Sequence, residues 1–200
     1  VEPVEAISLD HESGLALLTV GRSDLRPAHL SERRARPGMP IFLLSSTGEQ
    51  ERCGATGHVS SVEPFEAFWE YMLDEAIMTT AMNPGLAGGP LLDDRARVVG
   101  IVSLGLAAVG RYSLAIPAPL FLRRRALLES SRPMPATERH AWIGFYTQAH
   151  DETVTVTGVV AGGPAEKAGL ERGDVILSVD GEAVTSLREL YDACGARARG

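Results

Sequence analysis

The run Asn83-Pro84-Gly85-Leu86-Ala87-Gly88-Gly89-Pro90-Leu91-Leu92 sets a glycine- and proline-rich turn directly before an apolar strand. The side chain at its centre is the methyl of Ala87. A methyl has no lone pair and no proton to give up, so Ala87 cannot act as a nucleophile. Other reactive side chains are scattered. Asp10 and Glu12 share one short polar turn and read as solvated carboxylates. His11, His29, His58, His140 and His150 are well separated, and His58 reads as half-buried polar surface on a strand. Cys53 and Cys194, the only cysteines, make neither a disulfide framework nor a zinc-spaced cluster. No metal and no cofactor is expected.

The elements that hold these residues must be read from pattern. Gly14 to Val20, Pro40 to Leu44, Cys53 to Ser61 and Ala76 to Met82 read as strands. Pro90 to Leu92, Arg97 to Leu104 and Tyr112 to Ile116 continue the series, with glycine-rich bends and Asp93-Asp94 between them. Many short strands with turn signals at short intervals predict a barrel or sandwich. Pro117 fits the first turn of a helix carrying Leu120, Phe121, Leu127 and Leu128. Residues 130–140 are polar, punctuated by proline and without period, and read as a linker.

A second unit follows from 141. It contains a strand within Trp142 to Gln148 and a clean alternation in Thr153 to Val159. A short helix is expected over Ala165 to Gly173, a strand over Asp174 to Val179, and a hairpin turn at Asp180-Gly181. Ser186 reads as the N-cap of a last helix with Glu189 at the capping-box position, and Leu187, Leu190, Tyr191 and Cys194 share one face.

Composition bounds the possibilities. Two hundred residues suit one large or two modest domains, and 44% apolar with 22% charged residues is ordinary for a globular chain. A net charge of −7 without a long basic stripe argues against nucleic-acid binding. Arg123-Arg124-Arg125 reads as a solvated helix face rather than a phosphate site. The apolar stretch from Val98 runs uncharged only to Gly110. A spanning helix needs roughly 18 to 20 residues, so strands are the better reading. The chain opens at Val1 with no charged-then-apolar leader, and the expectation is a piece of a longer protein.

Taken in order, these motifs resemble the HtrA/Deg-type trypsin-like serine proteases, whose corresponding turn is N-P-G-N-S-G-G-P-L-L. Asp10 to Val20, Gly38 to Leu44, Gly57 to Ser60, Val99-Gly100-Ile101 and Leu114 to Pro117 each match a family motif in sequence order. Gly163-Pro164-Ala165 through Leu170, and Gly173 to Ile176, match the PDZ domain that follows the protease in that family. The resemblance implies a mostly β chain. Residues 1–129 would be the C-terminal part of a chymotrypsin-fold barrel, and 141–200 a PDZ-like α+β domain lacking its last strand. The half of the barrel that carries the family's histidine has no counterpart here.

Carried over residue by residue, the catalytic roles fail. The family's triad aspartate falls on Gly14 and its serine on Ala87, while Leu86 replaces the usual asparagine. None of the five histidines lies in the family's histidine motif. The amides of Gly85 and Ala87 are the oxyanion-hole donors that the resemblance implies, since such donors need no side chain. Ala87 is open to two origins, a deliberate serine replacement or natural loss. Gly14 and Leu86, which inactivation would not require, favour natural loss.

The PDZ-like half keeps more. Ile143, Gly144, Phe145 and Tyr146 correspond to the carboxylate-binding turn and the strand that pairs with a peptide, with Leu187, Leu190 and Tyr191 lining the pocket. For Ile143, Phe145 and Leu190, simple core packing is equally consistent. The expected function is an inactive protease homologue that binds peptides or misfolded protein C-termini as a scaffold, sensor or chaperone. The alternative is an authentic serine endopeptidase of this family. By the same resemblance the site is the periplasm or a membrane surface, and the assembly a homo-oligomer built on trimers.

Overall fold

In the strand that starts at Pro40, Ile41 and Leu43 are buried while Phe42 and Leu44 are each 38% exposed. That period of two is what a sheet with one covered face imposes. The computed structural model describes residues 4–10, 12–46, 51–69, 71–82, 87–106, 112–130 and 142–197. They fall into two units. One is Val1–Phe65 with Leu73–Ser131, the other Glu66–Met72 with Arg132–Gly200.

The first unit opens with an antiparallel hairpin of β1 (Val4–Asp10) and β2 (Leu15–Val20). Six further strands close a barrel: β3 (Pro40–Ser46), β4 (Arg52–Glu66), β5 (Met72–Thr79), β6 (Pro90–Leu92), β7 (Val98–Leu106) and β8 (Tyr112–Pro117). Their order around the barrel is β3-β4-β5-β8-β7-β6. The short β6 closes the ring, pairing with β3 through Phe42↔Leu92 and Leu43↔Leu91 and with β7 through Pro90↔Ile101. Ile41, Leu43, Val59, Ile77, Leu91, Val99 and Val102 fill the interior. The expected strands are present, several with longer or shifted bounds, and β1 is an addition that its mixed polarity concealed.

Helix α1 (Ala118–Glu129) packs on β1, β2, β7 and β8. Pro117, expected inside its first turn, instead ends β8 as the extended N-cap, and Pro119 takes the early helical position. Both placements tolerate the missing N–H.

The second unit has a three-stranded sheet ordered β11-β10-β9, formed by β9 (Phe145–His150), β10 (Thr153–Val159) and β11 (Val175–Ile176). Helix α2 spans only Pro164–Lys167, shorter than expected. The single strand expected over Asp174 to Val179 divides into β11 and β12 (Ser178–Val179) at Leu177, which is 75% exposed. β12 forms a hairpin with β13 (Glu182–Ala183), and positive φ at both Asp180 and Gly181 fits the expected turn. Helix α3 (Leu187–Arg197) starts where Ser186 Oγ accepts the Glu189 N–H at 3.2 Å. The Glu189 carboxylate reaches the Thr185 N–H at 2.7 Å, one residue before the expected box partner. The linker expected at 130–140 lies outside the described residues except for Ser130.

One ion pair in the first unit overturns two expectations. Asp10 is only 2% exposed rather than solvated. Arg124, from the run read as a solvated face, donates Nε to its Oδ2 and Nη2 to its Oδ1, both at 2.8 Å. Ser13 Oγ donates to Oδ2 at 2.6 Å, and Arg124 also meets the exposed Glu12 at 2.9 Å. The helix face could not be read as a strut because its partner lies 114 residues away. Burial by itself raises the Asp10 pKa, but the bonds from Arg124 and Ser13 outweigh it and hold the carboxyl below 3.8. A carboxylate with a depressed pKa stabilises the fold above its ordinary range, and that contribution is lost as pH falls through the folded value. The Asp10→Asn variant is therefore expected to lose roughly 3 kcal/mol near neutral pH. Its stability should also fall less steeply than the parent's below pH 3.8, as read by urea melts across the acid limb.

Candidate functional site

Two regions collect the residues that the sequence singled out. In the first unit the turn before β6 is described from Ala87 onward, so Gly85 and Leu86 lie outside the described residues. Ala87 and Gly88 are exposed and Gly89 is buried. The Gly88 N–H donates to the Val102 carbonyl at 2.8 Å, and the Val102 N–H returns to the Gly89 carbonyl at 2.9 Å. This reciprocal pair fastens the end of the turn to β7. Upstream, the Ala81 carbonyl accepts the buried Ser113 hydroxyl at 2.7 Å. The scaffold is thus pinned from both sides, and the side chain it presents at 87 is a methyl.

Gly14 sits at the tip of the β1–β2 turn with φ +72, its N–H on the Asp10 carbonyl at 2.9 Å. The left-handed region favours glycine, so the turn is shaped around the missing side chain. Asp10 offers no substitute carboxylate, because Arg124 engages both of its oxygens. Of the histidines, His29, His58 and His150 are described, and all three are exposed. For His58 that replaces the half-buried expectation, because its ring projects from the outer face of β4. Among the described residues no group of three or more His, Cys, Asp or Glu side chains is placed to hold a metal ion.

The second unit gathers more of the expected set. Phe145, Leu187, Leu190 and Tyr191 are buried together with Val154, Val156, Ala165 and Val184, and Ile143 packs against them. Tyr146 does not join them; it is 40% exposed and its ring lies 5.8 Å from that of Phe68. The turn before β9 is held by its carbonyls. Ile143 accepts the Ala165 N–H and Gly144 accepts the Val160 N–H, at 2.9 and 2.8 Å. Beside this turn an apolar cavity of about 670 Å³ opens, lined by Ile143, Phe145, Leu170, Ile176, Leu190 and Cys194.

Two features here escaped the sequence reading. Thr147 is fully buried, and its Oγ1 lies 3.1 Å from the Tyr191 hydroxyl, bridging β9 to α3. The Tyr191 hydroxyl donates onward to the Ala67 carbonyl at 2.9 Å, and the Thr147 N–H donates to the Phe68 carbonyl at 3.0 Å. Met72 packs against the same apolar cluster, and Glu66 pairs with Arg188 of α3 at 3.2 Å. The unit therefore includes the stretch Glu66–Met72, whose place was invisible because periodicity reports only neighbours in sequence.

Comparisons with known proteins follow this division. The trypsin-like peptidase domain family matches residues 1–101, and the PDZ domain family matches residues 155–194. Serine protease PepD of Mycobacterium tuberculosis is 31% identical over 99% of the chain and 46% of its own length. A probable periplasmic serine endoprotease, DegP-like, of Pseudomonas fulva is 28% identical over 95% of the chain and 42% of its own length. The chain thus spans somewhat under half the length of these relatives. Among solved structures, the HtrA-type protease AlgW with decapeptide has a TM-score of 0.56 and 24% identity, covering 94% of this chain and 62% of its own, a likeness of fold.

Gly144 gives a direct test of the turn before β9. Its φ is +78, and a Cβ there would lie 3.2 Å from the Trp142 ring and 3.4 Å from Pro164. Gly144→Val is expected to destabilise the second unit by about 1–3 kcal/mol, with Gly144→Ala less affected. Denaturant melts followed by tryptophan emission read the difference; equal stability of the parent and the valine variant would show that the turn tolerates a side chain.

Proposed function

Because the chain belongs to the trypsin-like peptidase family and combines that domain with a PDZ domain, as HtrA-type proteases do, we propose that it is a catalytically inactive member that works by binding peptides. Residues 1–129 are assigned to the peptidase part, 130–140 to a linker and 141–200 to the PDZ domain. The observation that carries the reading is the pair Gly14 and Ala87. At the two positions where the family resemblance calls for a carboxylate and a hydroxyl, the chain supplies a hydrogen atom and a methyl group. Without a nucleophile no acyl-enzyme forms, and any residual effect would come from binding and the backbone donors alone.

The peptide-binding role rests on the second unit. A strand edge beside a helix is the arrangement that accepts a peptide by strand addition, where main-chain bonds give affinity and pockets give specificity. The turn 143–145 borders the cavity of about 670 Å³, large enough for an apolar terminal side chain. The partners proposed are peptides or misfolded protein C-termini, in a scaffold, sensor or chaperone role. The naming of one relative as periplasmic supports the periplasm as its compartment. A trimer-based homo-oligomer is the assembly that the resemblance implies.

A fluorophosphonate probe applied to the longest product of the gene tests the inactive reading. The parent protein is expected to stay unlabelled, and covalent labelling of it would overturn the proposal. Ala87→Ser alone is expected to remain far below an active enzyme, because loss of the orienting carboxylate costs a factor of about 10⁴ in rate.

A further inference from the structure

β9 has two edges. One pairs with β10, and in that register Thr147 stands opposite Val156. The Val156 N–H goes to the Asp174 carbonyl and the Val156 carbonyl takes the Gly173 N–H, so neither faces Thr147. The pair is a non-hydrogen-bonded one, which turns the Thr147 N–H outward to the edge beside α3. That edge donor is what an added peptide strand would use. It is already engaged by the Phe68 carbonyl at 3.0 Å.

Two further contacts and one burial place the same stretch there. The Ala67 carbonyl takes the Tyr191 hydroxyl, Ala67 is 2% exposed, and Met72 rests on the cluster formed by Phe145, Leu187 and Leu190. We propose that Ala67, Phe68 and Trp69, with Met72, form a resident ligand of the β9–α3 groove, an internal aromatic-rich segment holding the donors and apolar floor that an incoming strand would take. The inference rests on the peptide-binding reading above and adds to it a ligand class and a control. The segment is internal, so the groove takes backbone carbonyls without needing a terminal carboxylate. Its grip is partial: Phe68 remains 57% exposed, stacked edge-on to Trp69 at 4.5 Å. The cavity lined by Ile143, Leu170 and Cys194 is left open. A free peptide engages the whole groove only by displacing the segment, and its apparent affinity falls by the fraction of molecules in which the groove is vacant.

The test compares the 200-residue chain with a variant in which Ala67-Phe68-Trp69 is replaced by Gly-Ser-Gly, using fluorescence anisotropy of a labelled, end-blocked peptide Ala-Phe-Trp-Glu-Tyr-Met-Leu. A segment seated in about nine molecules of ten predicts a roughly tenfold tighter Kd for the variant. Tyr191→Phe, which keeps the ring and removes the hydroxyl holding Ala67, is expected to shift in the same direction by less. A library of peptides with free C-termini is run on the same proteins. If library peptides bind parent and variant alike, and the end-blocked peptide gains nothing, peptide binding stands and the resident ligand is overturned. If no peptide of either kind binds either protein, the peptide-binding reading falls and takes this inference with it. Amide exchange of Thr147 in the parent provides a readout independent of how the variants fold. Protection without peptide supports the seated segment, and free exchange overturns it.

Discussion

Closure of the six-strand sheet by β6 is the constraint on which the first unit depends. Three residues, Pro90–Leu92, pair with β3 on one side and β7 on the other. Without them the barrel would have two long edges with unpaired N–H and C=O groups. The turn that ends at Gly89 feeds directly into β6 and shares reciprocal bonds with Val102. The described end of the turn, Gly88-Gly89, is therefore held by the barrel whether or not any chemistry takes place beside it. The barrel thus has its own use for this turn, with a methyl group at 87.

The same logic separates the carboxylates. Asp10 lies within four residues of Gly14, yet its charge serves α1, held by a two-pronged bond from Arg124 inside a nearly closed site. With Arg124 on both oxygens and Ser13 on Oδ2, the buried carboxylate is committed to holding the hairpin turn and the helix. Gly14 meanwhile adopts a left-handed conformation in the turn. Around this turn, then, the local groups hold the hairpin against the helix.

In the second unit a buried polar chain plays the corresponding part. Thr147, Tyr191 and the Ala67 carbonyl join in sequence, so that each polar group placed among apolar neighbours finds a partner. Leaving any of them unpaired would cost about 1–3 kcal/mol. The arrangement ties β9 to α3 and at the same time holds Ala67 and Phe68 beside them. Phe145 lines the open cavity and also belongs to the apolar cluster on which Met72 rests.

The sequence by itself determined the two-part organisation, most strands, the capped last helix, and the absence of serine and aspartate chemistry at 87 and 14. These follow from local signals: alternation in β3 and β10, the Asp180-Gly181 turn, Ser186 at the helix start, and side chains that lack the needed atoms. Only the tertiary structure decided that Asp10 is buried against Arg124, that Thr147 bridges to Tyr191, and that Ala67 and Phe68 lie on the edge of β9. Those pairs are separated by 114, 44 and, from Ala67 to Tyr191, 124 residues. The physical reason is that periodicity and turn chemistry act over a few neighbouring residues. Which distant groups meet depends on how the closed sheets and helices pack, and that is fixed only once the whole chain has folded.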